Sequence, residues 1–68
     1  MKRYIFAVLC FFDNENKIVN IYADDSLQAT IELGRQYGIE IKPDYDIEKI
    51  KDILFSCEFA VSDPYEIV

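Results

Sequence analysis

The stretch KRYIFAVLCFF, residues 2–12, decides how the rest of the chain is read. Two cations precede nine apolar residues in a row, within a chain of 68. A membrane-spanning helix needs ~20 apolar residues, so this run is expected not to span. It also departs from a secretory or lipoprotein leader: Leu9 stands where a small residue is required, and Asp13, Asn14 and Glu15 follow almost at once. Its β-branched and aromatic content instead reads as a retained strand over residues 3–12. Side chains alternate along a strand. Tyr4, Phe6, Val8, Cys10 and Phe12 therefore point one way, and Ile5, Ala7, Leu9 and Phe11 the other. Apolar residues on both faces predict an interior strand of a sheet, and both faces then need cover.

Working outward, Asp13-Asn14-Glu15-Asn16 reads as a hairpin turn, and residues 17–23 as the partner strand. Val19, Ile21 and Ala23 share one face of that strand, with Ile18, Asn20 and Tyr22 on the opposite face. Asp24-Asp25-Ser26 announces a helix, with Asp25 as N-cap and Gln28 at capping-box spacing. Leu27, Ala29, Thr30, Ile31, Leu33, Gly34 and Tyr37 fall in one arc of its wheel, opposite Gln28, Glu32, Arg35 and Gln36. Gly34 inside that arc predicts close approach to a strand beneath, and Gly38 ends the helix.

The alternating residues 39–42, stopped by Pro43, read as a short strand. Asp46 caps a second helix, on which Ile47, Ile50, Ile53, Leu54 and Cys57 share a face, and Tyr45 is placed to staple onto Ile50. Phe55 falls on the polar side of that wheel. Residues 58–61 form a last strand, and residues 65–68 an edge strand or tail. The fold expected is a single α+β domain over residues 1–68: β-hairpin–helix–strand–helix–strand, a mainly antiparallel sheet with two helices on one face. Two helices cover one apolar set of the first strand. The other set needs the tail, a second copy or a partner.

Little catalytic chemistry is on offer. There is no histidine, and both glycines belong to the first helix. Asp44-x-Asp46-x-Glu48 imitates the start of a calcium loop, but Lys49 stands at its glycine and Phe55 at its bidentate glutamate. Cys10 and Cys57 lie in apolar patterns with no base nearby, and are expected as buried thiols in a reducing cytoplasm. The chain is expected to be no enzyme and to use no cofactor or metal.

Charge says more. The net charge is −6. Up to Ile39 there are five acids and four bases, and from Glu40 onward eight acids and three bases. Such a chain is not suited to nucleic-acid phosphates or an anionic membrane, but it suits a protein with a basic surface, including one that normally holds nucleic acid. The candidate binding residues are Tyr22, Asp44, Tyr45, Asp46, Glu48, Asp52, Phe55 and Tyr65, tyrosines and carboxylates of the kind that anchor protein recognition. Ile5, Leu9 and Phe11 are the candidate dimer or partner face.

Ile21-Tyr22-Ala23-Asp24, followed by Ala29, Glu32-Leu33 and Tyr37, resembles the strand-into-helix segment of the small RNA polymerase inhibitors of T7-like phages, over about a quarter of the chain. The acidic, histidine-free, one-domain profile also resembles anti-CRISPR and other anti-defence proteins of phages. These resemblances imply a small cytoplasmic inhibitor, from a phage or mobile element, that blocks a host nucleic-acid-binding enzyme or defence complex. The alternative expectation is a homodimeric interaction domain with no inhibitory or catalytic role.

Overall fold

A central strand, β1 (Lys2–Cys10), organises the computed structural model, which describes all 68 residues. The elements that follow are β2 (Glu15–Ala23), α1 (Ser26–Gln36), α2 (Ile47–Ser56), β3 (Phe59–Val61) and β4 (Tyr65–Ile67). All pairings are antiparallel: β2 lies along one edge of β1, and β3 and β4 share the other. This is an α+β fold. Neither helix is long and apolar enough to cross a membrane.

The hairpin pairs every residue of β1, from Lys2 opposite Ala23 to Cys10 opposite Glu15. The turn is therefore residues 11–14, two positions earlier than the polar run suggests. Asn14 adopts φ 61°, a left-handed conformation that asparagine tolerates. The consequence is that Phe12, expected to face the core with Phe6 and Val8, sits in the turn almost wholly exposed. Glu15 and Asn16 are drawn into the ladder instead.

On its second edge β1 meets one interrupted strand. Val8 opposes Val61 and Cys10 opposes Phe59, whereas Arg3 opposes Ile67 and Ile5 opposes Tyr65. The register thus slips by one residue between β3 and β4, as a bulge does. Ser62 sits at the slip. Its backbone N–H donates to the Ala7 carbonyl at 2.9 Å, and its Oγ accepts from the Ala7 N–H at 2.9 Å. The hydroxyl replaces the backbone carbonyl that a regular ladder would supply, and Pro64 follows where no ladder donor is needed.

Both helices start as the sequence indicates. Asp25 accepts from the Gln28 N–H, and Asp46 from the Lys49 N–H, each at 2.8 Å. Helix α1 ends in a Schellman arrangement, with Gly38 N–H on the Arg35 carbonyl and Ile39 N–H on the Gly34 carbonyl. Gly38 takes φ 80°, which glycine reaches without a Cβ penalty. Helix α2 ends over Glu58 at φ 73°, a position where glycine is usual.

Residues 39–42 are not a strand. Both edges of β1 are already taken, and the Ile39 N–H is tied back to the end of α1. The alternation serves another purpose: Ile39 and Ile41 lie over Gly34. A Cβ there would come within 2.9 Å of Ile41 Cδ1 and 3.0 Å of Ile39 Cδ1. Gly34 is small for these isoleucines rather than for a strand beneath.

The core lies between the helices and one face of the sheet. Tyr4, Phe6 and Val8 of β1 meet Ile21 and Ala23 of β2, Ala29 and Leu33 of α1, and Ile50 and Leu54 of α2. Thr30 is buried among them and satisfies its hydroxyl by donating to the Ser26 carbonyl at 2.8 Å. Both cysteines are free thiols, but neither is buried as expected: Cys10 is half-exposed, and Cys57 is the exposed C-cap of α2. The helix has already ended where Cys57 would turn inward. Overall extents are 32 × 26 × 16 Å. A helix is ~10 Å across, so the short axis holds one sheet and one helix layer.

Candidate protein-docking face

The opposite face of the sheet carries no second layer. The ladder registers build it row by row: Tyr22, Arg3 and Ile67; then Asn20, Ile5 and Tyr65; then Ile18, Ala7 and Ser62; then Asn16, Leu9 and Ala60. None of these positions is acidic, and Arg3 is the one charge among them. In the third and fourth rows Ala7, Ala60 and Ser62 are small, while Ile18 and Leu9 stand beside them. This relief forms an open trough of about 510 Å³.

The face is large for a chain of this size. Ile18 and Tyr22 are 60% exposed and Tyr65 65%. At the Cys10 end the apolar surface continues onto the helix layer through Phe11 and Phe55, whose rings meet edge to face at 5.6 Å and remain 42% and 61% exposed. Phe55, out of place on the helical wheel, thus has a partner beyond its own helix. An aromatic side chain offers ~200 Å², so these four aromatics alone expose about 450 Å². Single exposed hydrophobes need no explanation, but a contiguous patch of this extent on one side does.

The structure therefore separates the sequence-predicted residues into two groups. Tyr22 and Tyr65 share the open sheet face with Ile5 and Leu9, and Phe11 and Phe55 border it. Asp44, Tyr45, Asp46, Glu48 and Asp52 lie at and along α2, in the helix layer. Within this helix-layer group, two residues already have local work. Asp46 caps α2, and Tyr45 packs against the core with Lys49 Nζ 5.9 Å from its ring centre. Glu48 lies 4.0 Å from Lys51, and Asp44 and Asp52 are exposed.

Lys51 joins the helix layer to the bulge. Its Nζ donates to Asp63 at 2.6 Å, and this bond, with the charges of Asp63, Glu48 and Asp52, outweighs partial burial and holds the ammonium above the usual lysine range. No group of three His, Cys, Asp or Glu side chains is placed to hold a metal ion.

Ala7 and Ile18 follow from the period-two pattern of the hairpin. Ala60, Ser62 and Ile67 do not, because their place depends on which edge of β1 the C-terminal segment joins. Comparison with family models, curated proteins and solved structures finds no match to this chain.

Proposed function

We propose that this chain is a small protein-binding module without catalytic activity, which acts by occupying a partner's surface. The observation that carries this reading is the segregation of its surface: a largely apolar, carboxylate-free sheet face on one side, and the carboxylates on the helices, the loops and, for Glu15 and Glu66, strand positions in register with the helix-side residues Cys10 and Tyr4. Apolar area supplies affinity, and net negative charge supplies steering toward a basic surface. A cytoplasmic inhibitor of a host nucleic-acid-binding enzyme or defence complex, from a phage or mobile element, is the physiological role we attach to it. Its support is the acidic helix layer, which presents to a nucleic-acid-binding surface the charge that surface is built to meet.

The test is recovery of tagged chain from its host in three forms: wild type, Ile18→Lys, and Glu48→Gln with Asp52→Asn. A basic partner held by the wild type should be lost from the first variant, or be held more weakly and with less salt dependence by the second. A partner set identical for all three, with both variants folded, would remove the reading.

A further inference from the structure

We infer that the open sheet face is an interface with a second copy of this chain, two sheets closing face to face into a helix–sheet–sheet–helix sandwich. The inference rests on the reading of that face as a docking surface and names its occupant.

Three observations select a second copy. The first is charge. Two chains of net charge −6 repel unless their carboxylates stay apart. The four rows of this face carry none, and stacking the sheets directs the acidic helix layers outward. The face offers no carboxylate for a basic partner to pair with, so charge there gives such a partner long-range steering but no contact. Arg3 lies in an end row beside Tyr22, where it stays hydrated at the rim.

The second is area. Tyr22 and Tyr65 give about 250 Å², and Ile18, Ala7 and the half-buried Ile5, Leu9, Ala60 and Ile67 extend the same surface. A standard interface buries ~800 Å² on each side. The face approaches that size only if its full width is covered, which another sheet does and a single helix or strand does not. Sheets stack ~10 Å apart with strands inclined by ~30°.

The third is relief. Ile18 projects directly across the ladder from exposed Ala7, which floors the trough. Directly paired residues lie ~5 Å apart. A two-fold axis running along the central strand β1 therefore covers all three strands and sets Ile18 of each copy over the small Ser62 at the far side of the other's trough. Such self-matching of a projection and its neighbouring hollow is what an isologous contact requires.

The experiment is sedimentation equilibrium of the full chain from 10 µM to 1 mM, with an apolar fluorescent dye titrated at the lowest concentration. Wild type should rise from 8.0 kDa toward twice that mass, with little change between low and high salt. Ile18→Lys and Ala7→Glu, both at exposed positions and checked for folding by circular dichroism, should weaken association at least tenfold. A wild type that stays monomeric but binds dye, with binding lost in Ile18→Lys, overturns the second copy and leaves the docking face standing. A monomer that binds no dye removes both. A dimer indifferent to both substitutions places the contact elsewhere and also overturns the inference.

Discussion

Tyr4, Phe6 and Val8 alternate along β1 with Ile5, Ala7 and Leu9, and the two sets share one strand and similar chemistry. Their surroundings differ. Tyr4, Phe6 and Val8 lie under Leu33, Ile50 and Leu54 and are almost free of solvent, while Ile5, Ala7 and Leu9 face an open trough with Ala7 at its floor. The difference is one of supply. Two short helices cover roughly one face of a three-strand-wide sheet, and residues 59–67 are spent on pairing with the free edge of β1 rather than on covering its other face. Apolar patterning thus predicts where burial is wanted, and chain length decides where the chain itself can provide it. Where it cannot, the same residues stay open to solvent.

The sharpest way to break this contrast is to truncate one side chain on each face. Phe6→Ala removes a fully buried ring and should cost about 3–5 kcal/mol, or abolish folding. Leu9→Ala, three residues away on the open face, should cost about 1 kcal/mol or less in dilute chain, where no partner covers it. Urea unfolding of both variants measures the gap, and equal losses would contradict a one-sided core.

Next in size is Gly34→Ala. The added methyl meets the Cδ1 atoms of Ile39 and Ile41, so despite better helix propensity we expect a loss of about 1–2 kcal/mol. Combining it with Ile41→Val removes the nearest of those atoms and should recover part of the loss. No recovery would place the limit on Ile39, whose Cδ1 and Cγ1 remain 3.0 and 3.1 Å from the added methyl.

Glu58→Gly should act in the other direction. Glu58 holds a left-handed backbone at the end of α2, and relief of its Cβ penalty should stabilise the fold by about 0.5–1 kcal/mol in thermal unfolding, after the added chain entropy of glycine.

The smallest effect is electrostatic. Because the Asp63 hydrogen bond raises the lysine pKa, the Lys51 contribution is complete below the unfolded lysine value of ~10.4 and fades as pH rises through the higher folded value. Lys51→Met should therefore lower stability by under about 1 kcal/mol near neutrality. The difference from wild type should shrink in strongly alkaline solution.

The legible parts of this fold are those set by neighbours in sequence. The two caps, the hairpin, the helical arcs and the two faces of β1 all follow from local spacing. What is not legible depends on distant partners. Residues 39–42 alternate as a strand does, yet they join no strand: the Ile39 N–H is tied back to the end of α1, and the isoleucines close over Gly34 instead. The turn begins at Phe11 because the full pairing of β1 with β2 outweighs burial of two further phenylalanines. The bulge at Ser62, which brings Ala60 and Ile67 to the open face, is visible only once β1 is known to be their neighbour. The site divides in the same way: Ile5, Leu9 and Tyr22 are given by alternation, whereas the Phe11–Phe55 pair needs the helix to be in place.

The most direct measurement is the alkylation rate of a single thiol at Ala7→Cys, with Cys10 and Cys57 changed to serine, against Val8→Cys in the same background. Position 7 should label fast in dilute solution and become progressively protected as chain concentration rises, while position 8 should label slowly throughout. Slow labelling of position 7 at every concentration would show the face covered within one chain. Fast labelling at every concentration would show it never occupied by another copy.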